Sequence, residues 1–205
     1  MSIPTWGTDK RLILGFLLSH LLLFLTFHDK SIFWYIFTAA MLFLISYSIF
    51  HEAIENETSL ITYLSLGILS GVVLFTIFFA GSWLIHTLNL PFSNEIAKLY
   101  KQLSPTMLWH YIVLFLVIIP GEEVFWRGFI QKRIQKGAST GTAVLVSSVL
   151  YASAHLYSGS VMLPLAALVS GLFWGYLYTW KKSLPLVIVS HIVFDLFLFI
   201  ISPLN

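Results

Sequence analysis

Cysteine is absent from the 205 residues, which excludes disulfides, thiolate metal ligands and a cysteine nucleophile, though it indicates no compartment. Charge is nearly as scarce. Asp, Glu, Lys and Arg make up 10% of the chain and hydrophobic residues 58%, whereas a soluble domain carries about 25% charged residues. So little polar surface cannot wrap a water-soluble core of this size. The formal net charge of +2 is small. The basic residues fall in short clusters between apolar runs, a pattern of membrane topology and no sign of nucleic-acid binding. No polar linker interrupts residues 1–205, so a single integral membrane domain is expected.

What the chain does have is apolar length. Seven segments run Leu12–Phe27, Ser31–Phe50, Leu60–Leu88, Thr106–Ile130, Thr142–Tyr157, Val161–Trp180 and Leu184–Ile200. A bilayer core of about 30 Å needs about 20 helical residues, and flanking residues help the shorter runs across. The expected fold is all-α, a polytopic transmembrane helix bundle of about seven spans, with six to eight compatible. Gly67, Gly71 and Gly81 could break the long third run. Lys10 and Arg11 precede the first run, but no small-x-small cleavage pattern follows, so it is read as a retained helix.

Between the third and fourth runs, Ile96, Leu99, Tyr100 and Leu103 recur at helical spacing with Glu95, Lys98 and Lys101 on other faces. A short amphipathic helix at the membrane interface is expected there, capped by Ser93, with Ser104-Pro105 starting the next helix. With seven spans, Lys10, Arg11, Lys132, Arg133, Lys136, Lys181 and Lys182 share one side, and Lys30, Lys98 and Lys101 the other. The positive-inside rule then puts the N-terminus in the cytoplasm. Ala167, Gly171 and Gly175 form a small-xxx-small seam for close helix packing. No internal repeat supports an inverted-repeat transporter.

Inside the apolar runs stand Glu122, Glu123, Arg127, His155, His191 and Asp195. Each such group costs several kcal/mol in a bilayer unless it faces a partner or a wet cavity. Three helices bearing that cost point to one shared polar cavity. Glu123 and Arg127, four apart, can pair on one face, which leaves Glu122, offset by about 100°, for another neighbour. Pro120-Gly121 loosens the helix just upstream, and Gly128 allows close approach after it. Tyr151 and His155 share a face on the next helix, as His191 and Asp195 do on the last.

Glutamate and histidine together can activate water: the carboxylate takes the proton and the imidazole holds the water or stabilises developing charge. Two further polar groups one turn apart can hydrogen-bond an oxyanion. That set of groups suits hydrolysis of a carbonyl compound, an amide above all. Lone helical histidines are more often satisfied packing residues, and His20, His86 and His110 are read so. The abundant Phe and Trp are read as lipid-facing or interfacial bulk.

The run Glu122-Glu123-Val124-Phe125-Trp126-Arg127 resembles the EExxxR motif of the CAAX protease and bacteriocin-processing family of intramembrane glutamic proteases. Tyr151-Ala152-Ser153-Ala154-His155 resembles that family's FxxxH motif, and His191-Ile192-Val193-Phe194-Asp195 its HxxxN motif. The resemblance covers residues 106–202, and the first three helices carry no matching motif. It implies a metal-independent protease within the membrane, without cofactor. Glu122 would activate water with help from His155. Glu123, Arg127 and Tyr151 would shape the site, and His191 with Asp195 would bind the oxyanion.

Two departures stand out. Tyr151 replaces Phe, so a buried hydroxyl needs a partner. Asp195 replaces Asn, and an ionised Asp cannot donate a hydrogen bond. The expected partners are the lipid bilayer and a peptide or membrane-protein substrate, with no nucleic acid. The short loops suit a bacterial plasma-membrane protein, where CAAX prenylation is not expected. The rival functions are a non-catalytic bacteriocin-immunity or scaffold protein that binds a peptide in the same cavity, and a metal-dependent hydrolase or metal transporter using Glu122, His155 and His191. No HExxH-type helix motif supports the latter.

Overall fold

A computed structural model describes residues 5–204, and every described segment of regular structure is helical apart from one isolated bridge, Asn56 to Ser183. The apolar runs become α1 (Lys10–His28), α2 (Phe33–His51), α3 (Leu60–Thr87), α5 (Leu108–Gln135), α6 (Thr140–Ala154), α7 (Met162–Lys181) and α8 (Leu184–Ile201). Six of these are long and apolar enough to span a bilayer. The seventh, α6, has 15 residues and is extended by a 3₁₀ turn, His155–Ser158. The protein is an all-α polytopic membrane bundle.

The short amphipathic helix α4 (Ser93–Leu103) is present. Its cap differs from expectation: Phe92 is the N-cap residue, and Ser93 is already helical, its hydroxyl turned back to the Leu90 carbonyl. Nor does Ser104-Pro105 start the next helix, which begins at Leu108. His110 does the capping, its Nδ1 accepting from the backbone N–H of Thr106 at 3.1 Å and Met107 at 3.3 Å. A ring nitrogen reaching back one turn replaced the hydroxyl cap that local sequence suggested. Tyr100 ties α4 to the bundle, donating to the Leu198 carbonyl at 2.9 Å. Burial pushes its phenol up to about 12, so it remains a donor.

α3 is one unbroken helix of 28 residues, so its glycines do not divide it. A Cβ on Gly67 would lie 2.7 Å from Val189, and one on Gly71 would lie 2.5 Å from the Ser190 carbonyl. Both permit close approach to α8, next to His191. Gly171 and Gly175 play that part between α7 and its neighbours, where a Cβ would meet Ser148, Val144 and Gln131. In α5 the close approach is made by Gly121, against Met41 of α2 at 2.9 Å. Around Gly128 a Cβ would find ordinary contact with Leu184 at 3.4 Å.

The charged residues collect as the seven-span pattern requires. Arg133 bridges Asp9 and Glu52, both at 2.7 Å, Lys136 joins Glu52, Lys132 joins Glu55 at 2.7 Å, and Lys182 lies near Glu57. These pairs form a collar linking the start of α1 to the ends of α2, α5 and α7. At the opposite end Lys30, in the α1–α2 turn, donates to Gln102 of α4.

Candidate active site

Two wider π-helical turns, Leu114–Ile118 and Trp126–Gln131, flank the glutamate pair in α5. The first absorbs Pro120, which lacks an N–H and crowds the carbonyl four residues back; there the Ile119 N–H bonds five residues back to Leu114. Such turns recur at functional sites because they re-aim the side chains beside them.

Glu122 and Glu123 leave the helix on different faces and meet different partners. Glu123 Oε1 accepts from Arg127 Nη1 at 3.1 Å and from His191 Nδ1 at 2.7 Å. Both charged partners are buried, Arg127 at 2% exposure and Glu123 at 0%. The guanidinium sits between two aromatic faces, 4.8 Å from the Tyr151 ring centre and 5.3 Å from that of Trp174. Such cation–π contacts are strengthened by desolvation.

Glu122 faces the cavity. The Tyr151 hydroxyl donates to its Oε1 at 3.2 Å, and His155 Nε2 lies 3.5 Å from the same oxygen. The other ring nitrogen of His155, Nδ1, is 2.9 Å from the Tyr151 carbonyl. A carbonyl only accepts, so Nδ1 carries the proton, and in the neutral ring Nε2 presents its lone pair to Glu122 and the cavity. At 3.5 Å the two are too far apart to share a proton directly and near enough for one water to touch both.

His191 lies across from this pair. Its Nδ1–H is given to Glu123, and its Nε2 is 3.9 Å from both Glu122 Oε2 and Asp195 Oδ2. The ring stacks on Trp174, centres 3.8 Å apart, and Trp174 Nε1 donates to Ser190 at 3.2 Å. Asp195 lines the cavity but is beyond hydrogen-bond distance of His191. The two share a face as their spacing requires, yet the hydrogen bond that orients His191 comes from Glu123 on another helix.

Sequence reasoning missed Trp174 and the aromatic wall. Phe27, Phe33, Trp34 and Phe37 line the cavity, so α1 and α2, which carry no motif, still build part of it. These four were read as lipid-facing bulk. Only the Trp174 position, between Gly171 and Gly175, could have signalled an inward-facing ring. The other histidines are placed otherwise: His20 bonds Tyr157 at 3.0 Å and Ser153 at 3.2 Å, and His86 is exposed at the end of α3.

The cavity, about 170 Å³, has carboxyl and imidazole groups at its base and apolar walls above them. Among the described residues no three His, Asp or Glu side chains are grouped to hold a metal ion. The arrangement can hold a water against Glu122 and His155, with His191 Nε2 and Asp195 about one small group away. The Tyr151 phenol contributes a hydrogen bond that a phenylalanine would not. Tyr151→Phe should leave the protein folded and lower its activity by about ten- to a hundredfold, since one hydrogen bond to a charged group contributes about 1.5–3 kcal/mol and about 1.4 kcal/mol is a factor of ten. A loss as deep as that of a Glu122 variant would make the phenol a proton carrier.

A family model described as "Type II CAAX prenyl endopeptidase Rce1-like" matches residues 104–197, a segment that holds all six ionisable residues of the site. No curated protein and no solved structure matches the chain.

Proposed function

Because residues 104–197 belong to the Rce1-like CAAX protease family, we propose that the chain is an intramembrane endopeptidase that hydrolyses a peptide bond with water activated by Glu122 and His155. The observation that carries this is the convergence of Tyr151, His155 and His191 on one buried carboxylate in an otherwise apolar cavity. Glu122 takes a proton from water and the resulting hydroxide attacks the scissile carbonyl. His155 Nε2, its lone pair turned to the same point, holds the water and shares the proton. The carbonyl oxygen becomes an oxyanion facing His191 and Asp195. Collapse of the tetrahedral intermediate breaks the C–N bond, and the proton held by Glu122 passes to the leaving amine. His191 Nε2 can donate to the oxyanion only from the imidazolium form, since Nδ1–H is committed to Glu123.

A peptide or membrane-protein substrate follows from this chemistry. The test compares the membrane proteome of cells carrying wild-type protein with that of cells carrying Glu122→Ala. Uncleaved forms of at least one membrane protein should accumulate with the variant. Identical proteomes would favour the rival in which the cavity binds a peptide without cutting it. Cleavage of an identified substrate by purified protein should survive EDTA and phenanthroline, and inhibition reversed by zinc would replace the water-activating pair with a metal.

Asp195 is where the site departs from the family pattern. It makes no hydrogen bond to His191, and Glu123 already holds that ring. Asp195→Asn should therefore retain activity within a few-fold, because the amide supplies the same donor to the substrate. An amide donates at every pH and a carboxyl group only while protonated, so the variant's pH–rate profile should extend further to the alkaline side. Strong impairment of Asp195→Asn would show that the charge is needed to keep His191 protonated. Unchanged activity in Asp195→Ala would remove the residue from the mechanism.

A further inference from the structure

The collar side of the site is sealed by packing. Below Glu122 and His191 lie Ile130, Gln131, Leu186 and Val187, each at 0% exposure, with Leu184 at 1%. No residue of the collar lines the cavity. Its other end is built differently. Trp34, Leu103, Leu163, Ala166, Leu198 and Phe199 line it there and are only half-buried. They come from the start of α2, the end of α4, the first turns of α7 and the last of α8, all at the end of the bundle that carries Lys30. His155 itself terminates α6 at that end.

The two ends differ in basic residues. Seven (Lys10, Arg11, Lys132, Arg133, Lys136, Lys181 and Lys182) lie at the collar end, and three (Lys30, Lys98 and Lys101) lie at the open end. Basic residues in short loops next to the spans mark the cytoplasmic side. The collar therefore faces the cytoplasm and the cavity does not.

We infer that the cavity is reached from the non-cytoplasmic face, and that its substrate is a membrane-anchored peptide whose scissile bond lies in the non-cytoplasmic half of the bilayer. The substrate class rests on the protease reading above; the direction of access does not. The walls also constrain the peptide. Phe27, Phe33, Trp34 and Phe37 flank the passage, and beyond Leu103, Leu163, Ala166, Leu198 and Phe199 lies a second, almost wholly apolar cavity of about 350 Å³ under α4. Large apolar side chains next to the scissile bond fit that chamber. A charged soluble peptide does not, since desolvating its charges in such walls would go uncompensated.

The absence of cysteine makes the direction of access measurable without any substrate. Single cysteines would be placed at Lys136 in the collar, at Lys30 at the open end, and at Ala166 or Leu103 in the cavity wall. Right-side-out membrane vesicles would then be treated with a membrane-impermeant maleimide, before and after permeabilisation. Lys30→Cys and at least one of Ala166→Cys and Leu103→Cys should label in sealed vesicles, and Lys136→Cys only after permeabilisation. Labelling of Lys136→Cys in sealed vesicles would invert the orientation and overturn the inference. So would cavity cysteines that label only after permeabilisation, or not at all, while Lys30→Cys labels from outside. Because labelling requires no cleavage, a failed protease assay leaves this result standing, and a failed labelling pattern leaves the protease proposal standing.

Discussion

Replacing Glu122 by glutamine should lower peptide hydrolysis by roughly a hundred- to ten-thousand-fold, the range that a positioned general base supplies, with no loss of stability. Gln keeps the shape of the side chain and can still accept from the Tyr151 hydroxyl, but it cannot take a proton from water. The carboxylate is buried at 6% exposure, and no guanidinium or ammonium depends on it, since Arg127 is paired with Glu123. Its removal therefore strands nothing. His155→Ala should come close in its effect on rate, because it removes the lone pair 3.5 Å from the same oxygen. Both are measured as single-turnover cleavage by purified protein, with thermal unfolding in detergent as the control. Cleavage by Glu122→Gln within a few-fold of wild type would show that water is activated elsewhere.

Glu123→Ala should fail in a different way, losing stability and activity together. It leaves the Arg127 charge buried without its counter-ion, and breaking a buried pair from one side costs about 3–5 kcal/mol. The cation–π contacts with Tyr151 and Trp174 remain but do not replace a carboxylate. Activity falls for a second reason: His191 loses the acceptor that fixes its Nδ1–H and aims Nε2 into the cavity. A second variant separates the two effects. In Glu123→Ala with Arg127→Met no charge is stranded, so the unfolding temperature should recover most of its drop. The rate should stay low, because His191 is still unanchored. Recovery of both together would make Glu123 a purely structural partner of Arg127.

Spacing along one helix was legible in the sequence because a helix repeats every 3.6 residues. Glu123 and Arg127 pair, Tyr151 and His155 share a face, and Glu122 turns away from Arg127, all as their intervals require. Between helices the sequence was silent. Nothing in His191-Ile192-Val193-Phe194-Asp195 says that His191 bonds Glu123 and sets its Nε2 3.9 Å from Glu122. That follows from how α5 and α8 lie together, with α3 set close on α8 through Gly67 and Gly71. The same holds for Phe27, Phe33 and Trp34, whose apolar character suits lipid and cavity wall equally.

By itself the sequence determined the bilayer as solvent, the all-α fold, and the ionisable residues that must share an interior. Hydropathy, segment length and helical period are local quantities, and the bilayer penalises every exception to them. Tertiary structure alone decided which carboxylate holds which imidazole, which aromatics wall the cavity, and which end of the bundle is sealed. Those outcomes depend on which helix faces pack together, and in lipid that choice rests on steric fit between small and large side chains rather than on hydrophobicity, because lipid tails are as apolar as the helices themselves.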